Sequence, residues 1–281
     1  MGTLYVCATP IGNLEDASIR LIKVLRKVDI IACEDTRRTA KLLQRYRITT
    51  RMTSYHQHNL REKETWLINM LLSGRSIALV SDAGMPGISD PGELLVKRAL
   101  AEGIKVEVVP GPSALVAALA ISGMDTSRFV FEGFIPARAS ERQAFLKRLA
   151  SEDRTIILYE APHRLSRTLE DMEEIWGARR LAVARELTKV HEEVVRGTPA
   201  ELKEHFMLNP CKGELTLVVE GYHEEQETVA KETLLREIEE LMEKGIEKKE
   251  AFKMKAREYG LKKRDIYDLY LESQTQKTSG P

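Results

Sequence analysis

The run Ser81-Asp82-Ala83-Gly84-Met85-Pro86-Gly87-Ile88-Ser89-Asp90-Pro91-Gly92 constrains this chain more than any other segment. An apolar β-type stretch, Ser76–Val80, precedes it and a helical one, Glu93–Leu100, follows. Glycines at 84, 87 and 92 let the backbone turn tightly and approach a ligand, while prolines at 86 and 91 fix its path. Ligands in α/β sheets gather at the carboxyl ends of strands, where this run stands. An ordinary strand-to-helix connection needs only a few residues. A connection this long and stiff reads as a binding loop.

The 281 residues suffice for two domains and a small third element. Lysine and arginine (43) balance aspartate and glutamate (43), so no global field recruits nucleic acid, which disfavours a simple RNA-coating protein. An enzyme that meets RNA through local basic patches stays open. Cys7, Cys33 and Cys211 are odd in number and far apart, which suits a reducing compartment rather than a disulfide framework. With no signal-peptide pattern and no apolar stretch of membrane-spanning length, a soluble cytoplasmic protein without membrane contact is expected.

Strand-like and helix-like segments alternate from the start. Leu4–Ala8, Asp29–Cys33, Ile77–Val80 and Val106–Val109 read as strands; Ile19–Val28, Arg37–Arg45 and Arg61–Leu72 read as helices. Continuous apolar strands with helices between them predict a mostly parallel sheet covered on both faces. Pro110-Gly111-Pro112 interrupts this order, and a small-residue helix follows from Ser113 to Ile121. The second half repeats the style, with strands at Phe129–Phe131, Thr155–Tyr159, Leu181–Ala184 and Leu215–Val219. Its helices fall at Glu141–Leu149, Leu165–Trp176 and Pro199–Phe206. The expected architecture is α/β: one domain over 1–111, a second over 112–222, a ligand cleft between them and a helical segment over 223–281. In that segment Leu234, Ile238, Leu241 and Met242 share one helical face, and Phe252, Ala256 and Tyr259 another. Gly245 and Gly260 end the two helices, and a third segment carries Ile266, Tyr267 and Tyr270. This is the helix-turn-helix pattern, equally compatible with a packing appendage and with nucleic-acid contact.

Polar groups cluster at the predicted strand ends. In Thr9-Pro10-Ile11-Gly12-Asn13-Leu14-Glu15-Asp16, Asn13 offers both a donor and an acceptor, while Asp16 or Ser18 reads better as a helix cap. Glu34-Asp35-Thr36-Arg37-Arg38 sets two carboxylates beside two guanidiniums, for a polar substrate or for an internal ion pair. The first loop lacks G-x-G-x-x-G, so a nicotinamide enzyme is a poor fit. His56-Gln57-His58 has no third ligand at a recognisable spacing, so polar lining of a substrate cleft is favoured over a metal site. In Tyr159-Glu160-Ala161-Pro162-His163-Arg164, Arg164 suits a phosphate and His163 a proton transfer. Ala184–Lys189 and Lys212–Thr216 also place charge beside buried strands. Singly each cluster has a structural explanation; together they point to one designed cavity.

The stretches TPIGNLED, EDTRR, SDAGMPGISDPG, PGPSA, YEAPHR, ARELTK-x-HEE and KGELTLVVEG, between Thr9 and Gly221, closely resemble the ribosomal RNA small subunit methyltransferase I family. That family lies within the tetrapyrrole-methylase-like (class III) methyltransferases. The resemblance implies two α/β domains with S-adenosylmethionine in the cleft between them, a C-terminal helix-turn-helix segment and a homodimer. It also implies transfer of methyl to a cytidine ribose 2′-oxygen in the decoding region of 16S small-subunit rRNA, with that rRNA or the 30S subunit as partner. For the cofactor the resemblance carries over Pro10, Asp82, Gly84, Met85, Gly87, Ile88, Ser113, Ala114, Tyr159, Ala184, Glu214 and Leu215. A threonine is common in the family where this chain has Met85.

A sulfonium methyl is already activated, so its transfer needs alignment more than acid chemistry. The ribose hydroxyl is a weak nucleophile, and a proton acceptor helps it. Asp35 and His163 are the candidates from strand-end placement, with Asn13 and Arg37 positioning ribose and phosphate. Arg38, His56, His58, Arg164 and Lys189 are expected to contact the substrate. Basic groups from Arg37 to Arg51, at Arg138 and Arg142, and at Lys262, Lys263 and Arg264 either guide RNA or form solvated helix faces. Rival readings are a small-molecule methyltransferase acting on a tetrapyrrole and a non-enzymatic rRNA-binding assembly factor.

Overall fold

Alternate residues of a strand face opposite sides of its sheet, so a strand apolar throughout must be covered twice. The first half obeys this rule. The computed structural model describes residues 1–56, 60–211, 213–222, 231–261, 263, 264, 266, 267, 269 and 270. It shows β1 (Thr3–Cys7), α1 (Ile19–Lys27), β2 (Ile30–Cys33), α2 (Thr36–Arg45), β3 (Met52–Ser54), α3 (Leu60–Leu72), β4 (Ile77–Val80), α4 (Gly92–Ala101) and β5 (Lys105–Val109). The strands run parallel in the order β3-β2-β4-β1-β5. Leu4, Ala32, Ile77 and Leu79 pack on Leu67 and Leu71 of α3 and Leu95 and Ala99 of α4. From the same strands Cys7, Ile31, Cys33, Ala78 and Val80 pack on Leu21 and Leu25 of α1 and Leu42 and Leu43 of α2.

This topology creates a crevice. Strands β1 and β4 are neighbours, yet the helix after β1 covers one face and the helix after β4 the other. Their two loops diverge at the carboxyl edge, which is the switch point where open α/β sheets bind ligands.

Residues Pro110–Ser113 then lead to α5 (Ala114–Ser122), β6 (Phe129–Phe134), α6 (Ala139–Arg148), β7 (Thr155–Glu160), α7 (Leu165–Trp176), β8 (Leu181–Arg185), β9 (Glu193–Gly197), α8 (Pro199–Leu208) and β10 (Leu215–Val219). The second sheet has the order β6-β7-β10-β8-β9 and differs from the parallel style expected for it. Only β6 and β7 are parallel; β10 runs antiparallel to β7 and β8, and β8 to β9. Periodicity reports burial but not strand direction, which is why the two halves read alike. Leu146, Leu169, Met172, Leu202 and Phe206 cover one face of this sheet. The other face packs Ile157, Ala182, Ala184 and Val218 on Ala118 and Leu119 of α5. Ile11, from the loop after β1, joins that second cluster and ties the lobes together.

The chain divides into two compact units after Tyr222. In the second unit α9 (Lys231–Glu243) and α10 (Lys248–Glu258) share a small core of Leu234, Ile238, Phe252, Ile266 and Tyr270. Lys255 Nζ donates to Glu237 Oε2 (2.8 Å), and the Tyr259 hydroxyl donates to the same oxygen (2.6 Å). Among the described residues no helix is long and apolar enough to cross a membrane.

One ion pair holds α6 to α7. Arg142 Nε donates to Asp171 Oδ2 at 2.5 Å, with both side chains nearly excluded from solvent. Breaking a buried pair leaves the remaining charge uncompensated, at a cost of about 3 kcal/mol or more. Arg142→Met is expected to lower unfolding free energy by about 3 kcal/mol in urea denaturation, softened by the Gln143 amide that also donates to Asp171.

Candidate active site

The loops after β1 and β4 are stitched together by backbone. Thr9 N–H donates to Gly84 O (2.9 Å) and Gly84 N–H to Thr9 O (3.1 Å). The buried Ser81 hydroxyl donates to Gly84 O (3.1 Å), and the Thr9 hydroxyl to Ser81 O (3.1 Å). Gly84 has φ +81°, in the left-handed region where a Cβ is strained. Further along, Asp90 Oδ1 accepts from Gly87 N–H (2.8 Å) and Gly92 N–H (2.7 Å). Two hydrogen bonds to one carboxylate oxygen give the glycine–proline loop its fixed path. Ser89 between them sits at φ +63°, a strained position beside the cavity.

The cavity that these loops open has a volume of about 360 Å³ and lies between the two sheets. Its first-lobe wall is made by Ile11, Glu34, Arg38, Ser81–Met85 and Ile88–Asp90. Its second-lobe wall is made by Ser113, Ala114, Phe134, Tyr159, Glu186, Leu187, Lys189 and Glu214–Thr216. Tyr159 meets Phe131 edge to face (5.0 Å between centroids) and leans on Phe134 (5.3 Å), so the second lobe offers an aromatic wall. Burial raises the Tyr159 phenol above its ordinary pKa. The α5 N-terminus opens at Ser113, whose side chain makes no capping bond; Leu115 N–H is directed at the Tyr159 oxygen, and the amides beside it suit an anion.

The two lobes touch on both sides of the opening. Asn13 N–H donates to the Thr188 hydroxyl (3.0 Å), and a Cβ on Gly12 would fall 2.7 Å from Leu187 O. Across the cavity a Cβ on Gly133 would lie 3.5 Å from Ser89 Oγ. Glu186 and Thr188 also adopt positive φ, at +51° and +66°.

Among the residues expected for the cofactor, Asp82, Gly84, Met85, Ile88, Ser113, Ala114, Tyr159, Glu214 and Leu215 line this cavity. Pro10 and Ala184 are buried behind it, and Gly87 supports the loop through Asp90. Of the expected substrate residues, Arg38 and Lys189 reach the wall; Lys189 Nζ donates to Glu186 (2.8 Å). Half-buried His56 stands near enough to Glu34 to stabilise its charge, and His58 lies outside the described residues.

Other candidates do not line the cavity, and most of them are committed to partners elsewhere. Asp35 caps α2: its Oδ1 accepts Arg37 N–H (2.8 Å) and Nε–H (3.1 Å), and its Oδ2 accepts from Nη2 (2.8 Å). These bonds hold its carboxyl down at about 2, which makes it a weak proton acceptor and leaves Arg37 turned to a neighbour. Asn13 Oδ1 accepts from Glu15 N–H (3.0 Å), capping a short helical turn. His163 and Arg164 occupy another such turn after β7; Arg164 Nη2 pairs with fully buried Glu160 at 2.5 Å, and Thr168 donates to the same carboxylate at 2.6 Å. Strand alternation explains this: Tyr159 faces the cavity, so the next residue faces α7.

Phe134 was missed from sequence, although Gly133 within an apolar strand was a signal of a bulge. The β6–β7 register shifts between Phe131 and Gly133, with Gly133 at φ +71°, and Phe134 is re-aimed at the cavity. Glu34, Asp90 and Glu186 also line the cavity; they stand inside the strand-end motifs, but residue type alone does not mark which carboxylate of a motif faces the cavity.

A sequence model of a family described as Tetrapyrrole (Corrin/Porphyrin) Methylases matches residues 3–203. A protein of Synechocystis sp. named Ribosomal RNA small subunit methyltransferase I is 49% identical over 274 residues, 97% of this chain and 98% of the relative. The chain belongs to the ribosomal RNA small subunit methyltransferase I family. The Thermotoga maritima member is 48% identical over 221 residues, which is 79% of this chain and 99% of that protein. That matched length is about that of the first compact unit. A crystal structure of diphthine synthase superposes with a TM-score of 0.62 at 16% identity, covering 78% of this chain and 90% of that one. At that identity the likeness speaks of the fold alone.

Replacing Asp90 tests the loop. Asp90→Ala is expected to free the Gly87 and Gly92 amides, with local opening easier by about 2 kcal/mol. Hydrogen exchange at those two amides should then run roughly thirtyfold faster, while core amides of β1 and β4 keep their protection.

Proposed function

We propose that this chain transfers a methyl group from S-adenosylmethionine to the ribose 2′-oxygen of a cytidine in the decoding region of small-subunit rRNA. The observation that carries the reading is the cavity at the switch point, in a chain 49% identical to a family member over nearly its full length. The residues present suit the donor. Phe134 and Tyr159 offer an aromatic face for a purine, the open α5 N-terminus suits a carboxylate, and Glu34, Asp82 and Asp90 set negative charge near a cation. Gly84, held in the left-handed region, brings backbone to the cavity without a side chain in the way. Met85 contributes only its backbone polar groups and an apolar side chain where a hydroxyl is common in the family.

When bound, the donor supplies a methyl on positively charged sulfur that needs no further activation. The chain's own residues exclude water and fix the geometry, and alignment of reactants alone removes about 7 kcal/mol or more from such barriers. The target nucleotide has to leave its stack to enter the cavity. Exposed Arg37, Lys41 and Arg45 on α2 stand beside the cavity-lining Arg38 as a track for the RNA backbone. The apolar side chains Val116 and Ile121 on α5, Val108 on edge strand β5 and Phe129 on edge strand β6 are exposed, which supports assembly as a homodimer. A cytoplasmic location follows from the same reading, because the RNA substrate resides there.

Incubation with methyl-labelled donor tests the assignment. Label is expected in the small-subunit rRNA of unmethylated 30S subunits, at a phosphodiester made resistant to alkali by the blocked 2′-oxygen. Label in a porphyrin precursor instead, or none in either, would overturn it. Lys41→Ala with Arg45→Ala should weaken RNA binding and flatten the slope of log affinity against log salt by about 1.5, measured by titration across a salt series.

A further inference from the structure

Carboxylates crowd the first-lobe wall, and nearly all have work to do. Asp82 Oδ1 accepts the Asp35 N–H (2.9 Å), and its Oδ2 lies 3.4 Å from Arg38 Nε. Asp90 holds the amides of Gly87 and Gly92. On the second lobe Glu186 is engaged by Lys189, and Glu214 is exposed to solvent. Glu34 differs. It lines the cavity at the end of β2, half-buried, and among the described residues its carboxylate accepts no hydrogen bond and forms no ion pair. Its lone pairs are left for whatever enters.

We propose that Glu34 is the catalytic residue that takes the proton from the attacking ribose hydroxyl, an inference that rests on the reading of the cavity as a 2′-O-methyltransferase site. The ribose O–H bond breaks and its proton passes to a Glu34 oxygen. The electron pair on the ribose oxygen forms the new O–CH3 bond. The S–CH3 bond of the donor breaks with its electron pair retained by sulfur, giving an uncharged thioether. Carboxylate and sulfonium charges vanish in the same step, so Glu34 gains its proton as the cation beside it disappears. Glu34 later returns the proton to water.

The environment suits the task. Burial and the like charges of Asp82 and Asp90, on the loop after β4, raise the Glu34 pKa above the ordinary carboxylate value. Arg38 on α2 and His56 beyond β3 oppose that rise and are outweighed. A carboxylate whose pKa is raised is a better base than a free one. Asp35, next in sequence, lies at the other extreme, held low by Arg37.

Single-turnover methylation with saturating donor and RNA, followed against pH, is the first measurement. The wild type should speed up with rising pH and level off once Glu34 is ionised, with that limb displaced upward from where a free glutamate would put it. Glu34→Gln should lose that acid limb and fall by about a hundredfold or more, with calorimetric affinity for the demethylated product unchanged. The second measurement needs no turnover. With the demethylated product bound, decoding-region RNA carrying ribose at the target cytidine should bind the wild type several-fold more tightly than RNA carrying 2′-deoxyribose there. Glu34→Ala should erase this difference, whereas a purely structural loss would weaken both RNAs alike. A Glu34→Gln rate within about threefold of wild type, an unchanged acid limb, or discrimination preserved in Glu34→Ala would each overturn the assignment. An active wild type beside a normal variant would overturn Glu34 alone; a wild type that methylates no rRNA would overturn the reading of the site and this role with it.

Discussion

The reciprocal pair of backbone hydrogen bonds between Thr9 and Gly84 is the constraint on which the rest of the site depends. Two loops that leave neighbouring strands for opposite faces of a sheet would otherwise splay apart. Joined at this point, they form the floor of a cavity rather than an open notch. The join demands a left-handed residue at 84, and the Ser81 hydroxyl on the same carbonyl oxygen keeps that turn from relaxing. Ile11, just beyond Thr9, is then delivered to the core beneath the second sheet. One backbone pair thereby sets the floor and helps to align the opposite wall.

Strain gathers where the lobes meet. Ser89, Glu186 and Thr188 hold positive φ without being glycine, and each stands at the cavity or at the contact that closes it. Such conformations cost about 1 kcal/mol or more apiece and persist only where surrounding bonds over-determine them. Glu192 supplies one of these bonds, accepting the Thr188 N–H at 2.6 Å. The geometry is that of a site pre-set for its ligand, with the cost offset by folding of the scaffold rather than by binding.

The expectations read from residues had uneven success, for identifiable reasons. Runs such as Ile77–Val80 and Leu215–Val219 are strands because burial on both faces selects apolar residues at nearly every position, Thr216 being the exception. The short strands Met52–Ser54 and Glu193–Gly197 escaped notice, since edge strands carry mixed polarity. The glycine–proline loop was legible as cavity wall because backbone chemistry is written in residue type, whereas Ser113 and Ala114 were expected there only through the family resemblance. Polar side chains were less legible. Asp35, Asn13 and Arg164 had the right chemistry in the right motifs, yet each spends its hydrogen bonds on a cap or on a buried partner.

Periodicity, glycine and proline placement, and the motifs at strand ends were enough to establish an α/β chain with a long glycine–proline loop after the strand Ile77–Val80. These are local properties, fixed by backbone stereochemistry and by which residues shun water. Which carboxylate at the end of β2 stays uncommitted, which aromatic turns inward past a bulge, and that the second sheet is mostly antiparallel were settled by contacts between distant segments. Asp82, 47 positions from Asp35, accepts its amide, and no local pattern reveals such a partner. A side chain's chemistry is written in its own residue; its availability depends on neighbours that only the folded chain assembles.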